Sequence, residues 1–380
     1  MNGQLPLLLV ARGDQASWRY ATGMEIEDAL YFDFGAGDQL LIVPELELDR
    51  ARLQARAKTI TDRRAAGYVE GSNSMRQWAE LAARILGERG VEAVRISRQM
   101  PVGYYELLRS TGVEMAIDHD LFRQQRRKKT PEEASFIHAA QRAAEAACAE
   151  VIQHIAVAEI RDGLLWLDGR PLTSERLMAR AEAALQEIGY SGADMIVAGS
   201  PESALPHYRG EGQLRAGLPI IIDIFPRGKT SGYHGDLTRT VVAGEVPADV
   251  QRMFDATVHA CEVAIAAVRP GVNGRDVHEA ACQALVEAGF GTIWPGFEGR
   301  GEGPVMNHST GHGVGLEAHE EPLLRPTDYP LAPGDVITVE PGLYQVGLGG
   351  VRVEDTGLVT PEGFKNFTSL PKSLNPRAYL

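Results

Sequence analysis

The chain reads as an α/β protein: a small α/β domain over residues 1–122, then a larger α+β domain over 131–380 built from two similar halves. Three observations predict this. Strand-like and helix-like apolar segments alternate through the first 120 residues. Beyond them, a helix pair followed by strands occurs twice, over about 130–245 and about 247–362, without residue-level repetition. Finally, 380 residues with 44% hydrophobic and 23% charged side chains suffice for two domains of a globular protein.

In the first domain, residues 5–10 and 40–43 read as buried strands, so the start is taken as a strand and not as a signal peptide. Residues 75–86 have helical apolar spacing and stop at Gly87 and Gly90, and 91–96 form another strand. Between the domains, residues 123–130 hold five basic residues in eight and read as a solvated linker. A helix then starts with Thr130 as N-cap, Pro131 at its first position and Glu133 completing a capping box, running towards His154. Residues 161–169 are rich in turn formers, and 163–175 read as an insertion. Further helices are expected from about 172 to Gly189, from 248 to 268 and from 275 to 288. Strands are expected at 220–225, 236–242, 336–340 and 351–359.

The chemistry concentrates in four carboxylates and one histidine, Asp223, Asp236, His312, Glu340 and Glu354. Buried carboxylates are costly unless paired or metal-bound. Four of them with a neutral histidine would be balanced by two divalent ions, which points to a dinuclear site and to hydrolysis. Oxygen-rich ligation with one histidine favours Mn, with Co or Zn as alternatives. Along a strand, Asp236, Thr238 and Thr240 share a face, with Leu237 and Arg239 opposite, so Thr238 can support a ligand carboxylate. Arg352 and Glu354 likewise share a face. His207, His308 and His319 flank these residues, and Gly311, Gly313 and Gly315 allow close backbone approach around His312. The net charge of −13 argues against a nucleic-acid partner, and no apolar stretch reaches membrane-spanning length. Cys148, Cys261 and Cys282, without close pairing, fit small buried groups in a reduced, cytoplasmic setting.

Asp223 and Asp236, Gly311-His312-Gly313-Val314-Gly315, Thr338-Val339-Glu340-Pro341-Gly342 and Arg352-Val353-Glu354-Asp355 together resemble the pita-bread metallopeptidases, which include methionine aminopeptidase, aminopeptidase P, prolidase and creatinase. The resemblance covers about 125–370. Residues 1–120 resemble a shortened form of the creatinase-like N-terminal domain of the prolidase and aminopeptidase P branch. It implies a pita-bread catalytic domain of pseudo-twofold symmetry, a peptide substrate, two metal ions sharing a hydroxide, and a homodimer. It also implies that Asp223, Asp236, His312, Glu340 and Glu354 ligate metal, with Glu340 the general base. His207 and His319 would serve catalysis, and His308 and Arg352 would mark the proline-specific branch. The expected activity is hydrolysis next to proline, by an Xaa-Pro dipeptidase or aminopeptidase. A carboxypeptidase is the minority alternative, and a creatinase-like amidinohydrolase or a non-enzymatic binding module are more remote ones. One departure stands out: Asp223 and Asp236 lie thirteen positions apart, two more than the family's usual spacing. The longer loop carries Phe225, Pro226 and Arg227, expected at the rim of the site, where Arg227 or Lys229 would meet a substrate carboxylate.

Overall fold

Alternation of side chains along strands builds the first unit's sheet with both faces covered. In the computed structural model, which describes residues 5–192, 194–298 and 303–380, the chain divides into Met1–Arg126 and Arg127–Leu380. The first unit contains β1 (Leu7–Val10), α1 (Gln15–Thr22), β2 (Leu30–Asp33), β3 (Gln39–Val43), α2 (Leu48–Gln54), β4 (Thr59–Asp62), α3 (Ser74–Glu88), β5 (Ala93–Ser97), α4 (Val102–Ser110) and β6 (Glu114–Asp118). Its six strands run in the order β4-β3-β2-β1-β5-β6. Leu8, Val10, Phe32 and Ile42 bury one face against Trp78 of α3 and Leu108 of α4. Leu7, Leu9, Tyr31 and Leu41 bury the other against Trp18 of α1 and Ala51 of α2. With both faces buried, the strands become continuous apolar runs, which is why 5–10 and 40–43 are readable from sequence.

At the division lies α5 (Arg123–Arg127). The basic run that contains it is not a uniformly solvated linker. Arg127 donates two hydrogen bonds to the Asp335 carboxylate at 2.6 and 2.7 Å, and Lys129 donates to Glu320 at 2.6 Å. Both cations are buried, because each meets a carboxylate some two hundred residues later in the chain that neutralises it.

In the second unit, α6 (Pro131–Ala156) begins with the expected capping box of Thr130 and Glu133. Then come β7 (Glu159–Arg161), β8 (Leu164–Leu167), β9 (Arg170–Pro171), α7 (Ser174–Glu187), β10 (Tyr190–Ser191), β11 (Ile196–Gly199), β12 (Pro219–Ile224), β13 (Arg227–Gly228) and β14 (Leu237–Val242). The segment expected as an insertion, 163–175, carries β8 and β9, which with β7 form a three-stranded antiparallel sheet. The other half has α8 (Ala248–Ala267), α9 (Gly274–Glu287), β15 (Gly291–Thr292), β16 (Val305–Met306), β17 (Gly311–Gly313), β18 (Glu320–Leu324), β19 (Val336–Val339), β20 (Gly342–Gln345), β21 (Gly349–Arg352), β22 (Asp355–Thr360) and β23 (Gly363–Asn366).

Each half has its own core. Cys148 and Ile152 of α6 and Leu177 and Leu185 of α7 pack on Val197, Ile222 and Val241. Met253 and Cys261 of α8 and Val277 and Leu285 of α9 pack on Ile337, Val339, Leu343 and Val351. The helix-pair-then-strands order is thus repeated in three dimensions. All three cysteines are free and buried. Among the described residues no helix is long and apolar enough to cross a membrane.

One expected strand is corrected. Residues 351–359 are not one strand: β21 pairs with β20, whereas β22 pairs with β19 and β23, in a different sheet. The chain changes sheet at Val353–Glu354. Its unbroken alternation of side chains conceals the break, because what divides it is the choice of pairing partner.

Candidate metal centre

The five candidate residues converge between the two halves. Asp223 is on β12 and Asp236 immediately precedes β14; His312 is on β17, Glu340 follows β19, and Glu354 lies at the crossing from β21 to β22. All five line one cavity of about 580 Å3, within the range of small-molecule sites.

Their positions are fixed by groups that never face the cavity. The Asp236 backbone N–H donates to Gln141 of α6 at 2.9 Å, and its carbonyl accepts from the Thr356 hydroxyl at 2.7 Å. Thr238 donates to Glu354 Oε2 at 2.8 Å, as the shared-face reasoning expects. Behind them, Arg239 is buried and uses its whole guanidinium. It donates to the Glu354 carbonyl at 2.5 Å, to Thr238 and Asp355, and to the carbonyls of Leu370 and Pro371. Gly311 and Gly313 make the close strand packing around His312 possible. A Cβ on Gly311 would lie 2.1 Å from the Thr338 carbonyl oxygen, and one on Gly313 would lie 2.3 Å from that of Glu321.

The electrostatics are those of a site built for cations. One ligand atom each from Asp236, His312 and Glu354 falls within a 4.8 Å group. His312 Nδ1 lies 3.2 Å from the Gly313 carbonyl, which assigns the proton to Nδ1 and leaves the Nε2 lone pair facing Glu340 at 3.3 Å and Asp236 at 3.7 Å. A lone pair turned towards two carboxylates needs a positive charge between them, from a proton or a metal ion. Burial, with His319 beside it, lowers His312 to about 3, so its own proton does not supply that charge. Asp236 and Glu354 are raised well above the ordinary carboxylate range, first by burial and then by neighbouring carboxylates. Burial also pushes Glu340 up to about 8, against the opposing pull of Arg352. Asp223 Oδ1 and Glu354 Oε1 are buried without a hydrogen-bond partner. Orphaned carboxylate oxygens, mutual repulsion and an aimed imidazole lone pair fit divalent ions.

Around these five residues runs a second chain of contacts. Arg352 donates to Asp223 Oδ2 at 2.5 Å, to the Tyr344 hydroxyl at 2.8 Å, to Thr238 at 3.2 Å and to the Pro206 carbonyl at 3.2 Å. His308 Nδ1 donates to the Ser309 carbonyl at 2.8 Å, so its Nε2 accepts from Tyr344 at 2.8 Å. Burial first, and Arg352 second, lower His308 to about 3 and keep it neutral. His207 and His319 line the cavity from exposed positions, and the His319 ring centroid is 4.1 Å from that of His312.

Arg227 is a correction. Phe225 lines the cavity, but Arg227 does not: its guanidinium donates to the Gly232 carbonyl at 3.2 Å within its own hairpin, where β13 meets β10 and His234. Lys229 is exposed and likewise absent from the lining. The arginine at the rim is instead Arg209, paired with Asp194. Sequence reasoning missed Arg209, although it lies two residues from His207. It also missed Gln141, a buried amide on an otherwise apolar helix face, and Tyr344.

Residues 135–361 match the model of metallopeptidase family M24. The chain belongs to this family. It is 30% identical over 345 residues to the probable dipeptidase PepE of Mycobacterium tuberculosis, covering 89% of this chain and 83% of the relative. It is 28% identical over 340 residues to the Xaa-Pro dipeptidase of Pyrococcus horikoshii, covering 88% and 85%. Among solved structures, the prolidase from Pyrococcus horikoshii superposes with a TM-score of 0.80 at 26% identity, covering 98% of this chain and 96% of that one. The X-Pro aminopeptidase from Thermotoga maritima gives a TM-score of 0.81 at 24% identity, covering 98% and 97%, a likeness of fold. The chain is therefore a metallopeptidase with the pita-bread fold, similar to prolidases and Xaa-Pro dipeptidases.

Proposed function

We propose that this metallopeptidase is an Xaa-Pro dipeptidase with two divalent ions, held by Asp223, Asp236, His312, Glu340 and Glu354. The observation that carries the reading is the pair of orphaned carboxylate oxygens on Asp223 and Glu354 in the same cavity that His312 lines. The proline direction is supported by the similarity to Xaa-Pro dipeptidases and prolidases, and by the His308–Tyr344–Arg352 chain next to Asp223. Mn suits the oxygen-rich donor set with one imidazole, with Co or Zn as alternatives. When bound, such ions compensate the carboxylates, polarise the scissile carbonyl and bring a water's pKa towards neutrality.

The chain's own residues do the rest. Glu340 takes a proton from the attacking water and delivers it to the proline nitrogen as the C–N bond breaks and the C–O bond forms. His207 and His319, at the cavity wall, donate to the developing oxyanion. Arg352 orients Asp223. The reading includes a cytoplasmic homodimer: the three buried free cysteines suit a reducing compartment, and light scattering measures the dimer. The test of function is hydrolysis of Ala-Pro, Ala-Pro-Ala and Ala-Leu with Mn supplied. Cleavage of Ala-Pro well above Ala-Leu is expected; equal cleavage of the two refutes proline specificity.

A further inference from the structure

We propose that Arg209 reads the free C-terminal carboxylate of the substrate and so restricts this enzyme to dipeptides. This rests on the peptidase reading above and adds the group that sets substrate length.

Among the described residues lining the cavity, Arg209 and Arg352 carry permanent positive charge. Arg352 is committed: four of its donor contacts go to Asp223, Tyr344, Thr238 and Pro206, and it is buried. Releasing it to bind substrate would leave Asp223 Oδ2 without its partner and strip from the Tyr344 hydroxyl the donor that it accepts from. Arg209 is in the opposite condition. Its side chain is 61% exposed, and its ionic partner Asp194, also in the lining, is 67% exposed. An exposed pair of this kind contributes little to stability, so a substrate carboxylate can replace Asp194 at small cost. The planar guanidinium then offers two parallel donors to the two carboxylate oxygens.

The position of Arg209 is fixed by the sheet. Its carbonyl accepts from the Val197 N–H at 2.9 Å, and the neighbouring Ile196 pairs directly with Asp223. The Arg209 backbone therefore runs two strand spacings, roughly 10 Å, from the ligand aspartate. A long side chain crosses most of that interval. In a dipeptide the carboxylate lies one residue beyond the scissile carbonyl, and each added residue moves it by roughly 3.3–3.6 Å. An arginine anchored on one strand edge discriminates such a step. Asp194 sharpens the choice: a chain end without a carboxylate gives Arg209 no reason to leave its partner.

The experiment compares Ala-Pro, its C-terminal amide, Ala-Pro-Ala, and Ala-Leu with its amide, all with Mn. The wild-type protein, Arg209→Ala, Arg209→Lys and Asp194→Asn are assayed on each. Wild type is expected to favour free dipeptide acids. Arg209→Ala should lose about 10- to 100-fold in kcat/KM on Ala-Pro, mainly through KM, the range set by one charge-assisted contact. On the amide it should change by less than about twofold. Arg209→Lys should keep part of the preference, and Asp194→Asn should lower KM for the free acid. Equal losses on acid and amide, or wild-type turnover of Ala-Pro-Ala and the amide matching that of Ala-Pro, overturn the proposal. A free-acid preference that appears on Ala-Leu and disappears in Arg209→Ala upholds it even if proline specificity fails. Hydrolysis of none of these peptides overturns both readings.

Discussion

Replacing Glu340 with glutamine should abolish turnover and, in the metal-stripped protein, make the fold more stable. The two effects come from the same burial. In the unfolded chain Glu340 titrates near 4.5, whereas in the folded chain without metal it is raised to about 8. The sign follows from proton uptake: between these values the folded state holds a proton that the unfolded state has released. Stability is therefore fully present below pH 4.5 and is lost as pH rises towards 8. At pH 7 the folded side chain must be kept protonated well above its ordinary range, a cost of about 3 kcal/mol. Glutamine has the same shape and no such cost. For a unit of this size about 3 kcal/mol corresponds to a Tm shift of roughly 6–12 °C. The assay is thermal melting of chelator-treated wild type and Glu340→Gln at pH 4.5 and pH 7. The variant should gain at pH 7 and be nearly level at pH 4.5, while kcat with Mn falls by roughly 100- to 10,000-fold, as for a lost general base. A variant that is no more stable than wild type at pH 7, or gains equally at both pH values, refutes the reasoning.

Two predictions concern groups away from the ligands. Buried His278, held between Thr310 and Cys282, is lowered by burial from 6.5 to about 4. The unfolded state gains its proton first, so stability falls as pH drops from 6.5 to 4, by about 2 kcal/mol at pH 5. Melting curves of His278→Gln should show a shallower acid loss than wild type; identical pH dependence would remove His278 from the account. Arg127→Met leaves the Asp335 carboxylate buried without its bidentate partner and should cost about 3–5 kcal/mol, with Arg127→Met/Asp335→Leu recovering much of it. A Tm unchanged in the single variant would show the pair to be dispensable.

What sequence could reveal divides along physical lines. Local rules carried the α6 capping box, the buried runs of β1 and β3 and the shared face of Asp236 and Thr238, because each depends on residues within a few positions or on strand alternation; that the carboxylate Thr238 meets is Glu354 was not readable. Asp236, His312 and Glu354 were conspicuous for the same reason, each set in an unusual local context. What escaped notice depends on pairing across long separations. The break at Glu354 follows from β21 and β22 joining different sheets. Arg127 and Lys129 are buried because Asp335 and Glu320 lie beside them. Arg227 and Arg209 exchange places because the longer loop closes on itself, while Val197 holds Arg209 at the cavity. A count of basic residues cannot decide which arginine faces a site.

Titrating stripped protein with Mn by calorimetry, with turnover of Ala-Pro followed in parallel, tests the central claim most directly. Two ions per chain, activity that appears with them, and loss of both in His312→Ala are the predicted results. Full turnover by protein that binds no divalent ion would contradict the account.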